Sequence, residues 1–192
     1  MSPSSRLFMI VLLLLTGSAC ARSTTTTMDA SQLTTPDPDA VELVEMGEQA
    51  LQLAQQESRN VILLQVFTDL SQTAFRFMES TKTREINVLV PAPSAPVGEW
   101  RVHIDPIART GPGIDLHTLR IGPNRAVAAM LAHWPGCEIA GIGLYLFGAG
   151  DKLVWDISCS TPEGVVKGSL DNLTGLFQLI GGPAVPPVTA SP

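Results

Sequence analysis

The feature that most restricts this chain is a pattern that occurs twice. Asp37-Pro38 opens one helical segment, with Asp as N-cap and Pro at the first helical position, and Gly122-Pro123 opens a second. Each is followed by apolar–polar alternation of period two, interrupted by turn residues. In the first half Val41, Val44, Leu51 and Ala54 recur at near-helical spacing, and the helix should fade by Ser58 to Asn60. Strands are expected over 61–67, 72–79, 84–90 and 99–104, punctuated by turns and by Pro91, Pro93 and Pro96. In the second half Ala126, Val127, Met130 and Leu131 should face inward before Pro135-Gly136 stops the helix, and strands are expected over 142–147, 152–159 and 165–170.

A shift of 80 residues lays the first half on the second without a gap. Phe75 falls on Trp155, Phe77 on Ile157, Leu64 on Leu144, Phe67 on Phe147 and Ser80-Thr81 on Ser160-Thr161. Identity is sparse, five positions between 61–90 and 141–170, so the agreement of turns and strands carries more weight. The reading is an α+β fold of two tandem repeats, 38–106 and 107–180, each one helix plus three to four antiparallel strands. Two unrelated α+β halves is the alternative.

The ends read differently. Arg6, an unbroken apolar run from Leu7 to Leu15, then Thr16, Gly17, Ser18, Ala19 and Cys20 form a charged start, a short apolar core and a small-residue exit. Nine apolar residues fall short of the roughly 20 that span a bilayer, so residues 1–20 read as a secretion signal. Cys20 after small residues resembles a bacterial lipobox and marks a lipidation site for a palmitate-type acyl anchor, although Gly17 stands where that motif usually has Leu. Ala19-Cys20-Ala21 also suits ordinary signal cleavage, which would release a soluble protein. Residues 21–37, rich in Thr, lack apolar periodicity and are expected to be a disordered tether; as a coil it would span ~20 Å. The Gly/Pro-rich residues 181–192 are expected to be a disordered tail.

Composition limits partners. The chain is 45% hydrophobic and 16% charged, with a formal net charge of −6. It can bury a core. It has no cluster of Lys or Arg, hence no electrostatic footprint for nucleic acid. With Cys20 lipidated, Cys137 and Cys159 remain as a pair, and an oxidising compartment favours a disulfide between them. A hairpin turn centred between Ala149 and Gly150 sets Cys159 opposite about residue 140, close to Cys137 at the helix exit.

The second half resembles a PepSY-type repeat. The resemblance rests on Leu153-Val154-Trp155-Asp156-Ile157 and on Val165 to Gly175, which closes on Asp171-Asn172-Leu173-Thr174-Gly175, an Asp-x-x-Thr-Gly turn. The first half ends in Pro91-Ala92-Pro93 instead. The resemblance implies a PepSY/cystatin-like, non-catalytic binding or regulatory module of the cell envelope, with an envelope protein or peptidase as partner; the membrane would be reached through the lipid anchor expected at Cys20. An accessory scaffold of an envelope assembly is the neighbouring possibility, and a hydrolase with an unrecognised site is the remaining alternative.

Chemical motifs add little. No G-x-S-x-G, Walker loop, H-E-x-x-H or dinucleotide fingerprint occurs. No metal set and no cofactor is expected. His103 and Asp105 share a strand face and read as a solvated pair; His117 and His133 stand alone. Phe75, Phe77, Trp100 and Trp155 could line a ligand groove between sheets, or fill the core. Asn172-Leu173-Thr174 matches a glycosylation sequon, which carries no weight in a bacterial lipoprotein.

Overall fold

A computed structural model describes residues 25–27, 35–69, 71–81, 83–91, 96–106, 111–148 and 152–182. In chain order these form β1 (Thr25–Thr27), α1 (Pro38–Glu57), β2 (Val61–Thr68), β3 (Thr73–Glu79), β4 (Glu85–Val90), β5 (Arg101–Asp105), α2 (Pro123–His133), β6 (Glu138–Phe147), β7 (Lys152–Thr161), β8 (Gly164–Asp171) and β9 (Leu176–Gly181). Short 3₁₀ turns lie at Val97–Glu99 and Leu116–Thr118. The expected signal, its Cys20 and the tail beyond Gly182 lie outside the described residues.

All nine strands join one antiparallel sheet in the order β1-β9-β8-β7-β6-β2-β3-β4-β5. The first half supplies β5 to β2, the second β6 to β9, and they meet where Val66, Phe67 and Thr68 pair with Leu144, Gly143 and Ile142. The α+β class holds. Among the described residues the groove expected between two sheets has no counterpart, because the strands form a single sheet.

Both helices cover one face. α1 packs over β2 to β4 and α2 over β6 to β8. The buried stripe of α1 is Ala40, Leu43, Met46, Gly47, Ala50 and Ala54, rotated from the expected stripe; Val41 is 46% exposed. The physical reason is size. Alanine and glycine let the helix axis come close to the sheet, which branched side chains would prevent. At Gly47 an added Cβ would lie 2.2 Å from Leu116 Cδ1, so the segment leading to α2 slides directly beneath α1.

That segment uses the seam between the halves. β2 pairs with β6 only over its last three residues. Its earlier Leu63 carbonyl is free to accept from Ile114 N at 2.7 Å, while Leu116, Leu119 and Ile121 go into the core. The chain therefore enters the helix layer along the open edge of β2.

Three strand expectations need correction. β6 begins at Glu138, not at residue 142, because the disulfide and its pairing with β7 extend it backward. β9 was not expected at all; it follows the Asp171–Gly175 turn and buries Phe177 against the sheet. The tether expected to be disordered contains β1, whose Thr25, Thr26 and Thr27 pair with Gln178, Phe177 and Leu176. An edge strand offers unpaired N–H and C=O groups, and a threonine run is well suited to take them.

Candidate functional site: a cleft between the helix N-termini

The first turns of the two helices lie side by side, joined by carboxylates. Asp37 occupies the N-cap position of α1 but makes no side-chain cap bond to its own helix. It serves α2 instead: Oδ2 accepts from Gly122 N at 3.1 Å and Oδ1 meets Arg125 Nη1 at 2.9 Å. Asp39 Oδ2 accepts from Asn124 N at 2.7 Å. Two of the free N–H groups that open α2 are thus satisfied from α1, at the end where the helix dipole favours negative charge. Gly122 is required for this approach; a Cβ there would sit 2.1 Å from the Asp39 carboxylate.

α2 is fixed from beneath as well. Asn172, 3% exposed, accepts from Arg120 N and Ile121 N through Oδ1 and donates from Nδ2 to the Thr118 carbonyl. Trp155 Nε1 donates to the Ile121 carbonyl at 2.7 Å. Cys137 and Cys159 form a disulfide with a Cα–Cα distance of 5.7 Å, where Cys159 lies opposite Ile139. At the other end of α2, His133 Nδ1 donates to the Ala129 carbonyl and its ring lies 4.5 Å from that of Phe177.

Between the helices, pinned together at their N-termini, a cleft of about 240 Å³ opens onto the sheet. Its floor is apolar: Leu43 and Met46 of α1, Val127 of α2, Val66, Ile142 and Trp155 below. Asp39, Glu42 and Asp69 stand at its rim. The two hydroxyls in its wall are already engaged. Thr68 Oγ1 donates to the Asp69 and Gln72 carbonyls, and Thr73 Oγ1 donates to Thr68 Oγ1. Asp69 accepts from Ser71 Oγ, Ser71 N and Gln72 N, which hold its carboxyl below the usual carboxylate range. Two hollows of larger volume, about 380 and 360 Å³, are more open to solvent; one lies beside Gly111 and Pro112, the other between α1 and residues 113–117.

The residues expected to line one groove do not come together. Phe75, Phe77 and Trp155 are at most 1% exposed and belong to the core. Trp155 reaches the floor of the cleft, Phe77 the hollow beside residues 113–117, and Trp100 is a half-buried residue packed on the core beside β5. His103 and Asp105 form an exposed pair at 3.2 Å, as expected of a solvated rim, and His117 lies 3.6 Å from Glu48. Among the described residues no group of three His, Cys, Asp or Glu could hold a metal ion, and no helix is long and apolar enough to cross a membrane.

Sequence reasoning missed Asp39, Glu42 and the cleft itself. It noted Asn172 as part of the closing turn and of a sequon, yet the side chain is buried and bonded to the entry of α2. The signal for the cleft was the pairing of two Pro-initiated helices, one with acidic residues in its first turn and one without.

On the face of the sheet away from the helices, Asp156 has a buried Oδ1 with no hydrogen-bond partner, and burial raises its carboxyl above the usual range, opposed by the charge of Lys167. Burial and the Asp156 charge likewise raise Tyr145. In the first half, Glu79 accepts from Arg84 and Thr83, which pull its carboxyl down to about 2.

No family model matches the chain, and no curated protein matches it. Among solved structures the chain is similar to a candidate lipoprotein from Clostridium difficile 630, at 13% identity and a TM-score of 0.48, over 67% of this chain and 86% of that one.

Proposed function

We propose that the protein is an exported, lipid-anchored, non-catalytic binding module, built from two PepSY/cystatin-like units, whose ligand occupies the cleft between α1 and α2. The observation that carries this reading is the cleft: a concave apolar floor with a few polar groups at its rim, the usual make-up of a small-molecule site. Its hydroxyls are bonded to carbonyls and to each other, so neither is poised beside a base as a nucleophile. Export and anchoring rest on the signal-like residues 1–20 and on Cys20.

Two measurements test the two parts. Lipid labelling should be present in the wild-type chain and vanish in Cys20→Ala; labelling that persists would move the anchor elsewhere. A fragment screen by ligand-observed NMR should give hits that Val127→Trp abolishes, since the indole would fill the cleft. Hits indifferent to that substitution would place the binding site elsewhere.

A further inference from the structure

We infer that the cleft selects a small amphiphilic cation: an apolar body no larger than an amino-acid side chain, ending in an ammonium group. This rests on the reading of the cleft as a binding site and adds the chemical class of its ligand.

Size comes first. About 240 Å³ is below the 300–1,000 Å³ typical of drug-sized pockets. An unbranched body of about six carbons suits it, lying on Leu43, Met46, Val127 and Trp155.

Charge decides the rest. Asp39, Glu42 and Asp69 border the cleft, and among the described residues no Lys or Arg lines it. The N-termini of α1 and α2 face the same rim and oppose the carboxylates, each contributing roughly +0.5. Three carboxylates against two such dipole ends leave about −2. The nearest cation on α2, Arg125, is engaged with Asp37. Two of the N–H groups that would otherwise attract an anion at the start of α2, those of Gly122 and Asn124, are taken by Asp37 and Asp39. Asp39 spends one oxygen on Asn124 N, and Asp69 spends one on Ser71 and Gln72. Glu42 is exposed at the rim, the carboxylate best placed to meet an ammonium leaving the apolar floor. An exposed charge pair is worth up to about a fivefold factor in affinity. Two rim carboxylates at about threefold each therefore favour a cation over its neutral isostere by about tenfold.

The test compares n-hexylamine, n-hexanol and n-hexanoate, equal in chain length, by calorimetry or chemical-shift titration of the purified protein at pH 7 and low salt. Hexylamine is expected to bind about tenfold more tightly than hexanol, and hexanoate more weakly than hexanol. Glu42→Gln should cut the advantage of the amine several-fold and leave hexanol unchanged; high salt should do the same. Val127→Trp should abolish binding of all three. Equal affinity for amine and alcohol, or an amine advantage untouched by Glu42→Gln, would overturn the ligand class while leaving the cleft as a site. Failure of all three to bind, or binding that survives Val127→Trp, would overturn the cleft itself and the inference with it.

Discussion

The two helices rest on one sheet but are held there by different means. α2, 11 residues long, is bound by named bonds: Asp37 and Asp39 at its start, Asn172 and Trp155 beneath its entry, and the Cys137–Cys159 bridge beyond its exit. α1, 20 residues long, is held by close packing of small residues along its length. A short helix is marginal alone and depends on tertiary support, whereas a longer one with a continuous apolar stripe supplies more of its own. The cleft thus has one wall fixed by specific bonds and one wall seated by packing. Adaptation to a ligand should come from the α1 side.

The sharpest break in this contrast is Trp155→Ala. The side chain is fully buried and holds the Ile121 carbonyl, so the loss should be about 3–5 kcal/mol in denaturant unfolding. Trp155→Phe should recover most of that packing and leave about 1–3 kcal/mol for the orphaned carbonyl. Replacing Cys137 and Cys159 by Ala should cost about 2–4 kcal/mol. Amide exchange should then quicken at the end of α2 with little change along α1; equal loosening of both helices would remove the distinction. Asn172→Ala leaves two buried N–H groups of the α2 entry unpaired and should cost about 1–3 kcal/mol. Gly122→Ala must push Asp39 away from Asn124 N and should cost about 1 kcal/mol, the worth of a cap. In a double-mutant cycle with Asp39→Ala the two costs should fail to add.

The smallest effects are in pH dependence, and the two halves should differ in sign. Glu79, pulled down to about 2 by Arg84, stabilises the fold above its ordinary value of 4.5, and that contribution is lost as pH falls toward 2. Asp156 is raised by burial, so its ionisation costs stability above the raised value and nothing below its ordinary 3.8. Glu79→Gln should therefore lower Tm at pH 7 and matter little near pH 2. Asp156→Asn should raise Tm at pH 7 and matter little below pH 4. Both are read from Tm against pH for the two variants and the wild type.

Much of this architecture was legible in the sequence. Pro38 and Pro123 start both helices where expected, and the turn residues separate the hairpins. Setting Cys159 near residue 140 was correct to one residue, because period-two register carries forward from a tight turn. What was illegible depended on contacts distant in sequence. Asp37 has every local mark of an N-cap, yet its carboxylate goes to a helix 85 residues further on. The inward face of α1 was set by how closely alanines approach the sheet, which periodicity alone does not rank. Leu176 to Gly181 reads as a strand only once the β8 edge is there to pair with it. The aromatic residues at 75, 77 and 155 were visible as a set, but a single sheet under two helices makes them core, and the cleft is built at its rim from carboxylates that looked like ordinary helix and turn surface.

The most direct test of the central claim is chemical-shift mapping of hexylamine on the wild-type protein and on Val127→Trp. The account predicts shifts centred on Leu43, Met46, Val127 and the Trp155 indole N–H, all lost in the variant. Shifts centred instead on the opposite sheet face, around Tyr145, Phe147 and Ile180, and unchanged by Val127→Trp, would contradict it.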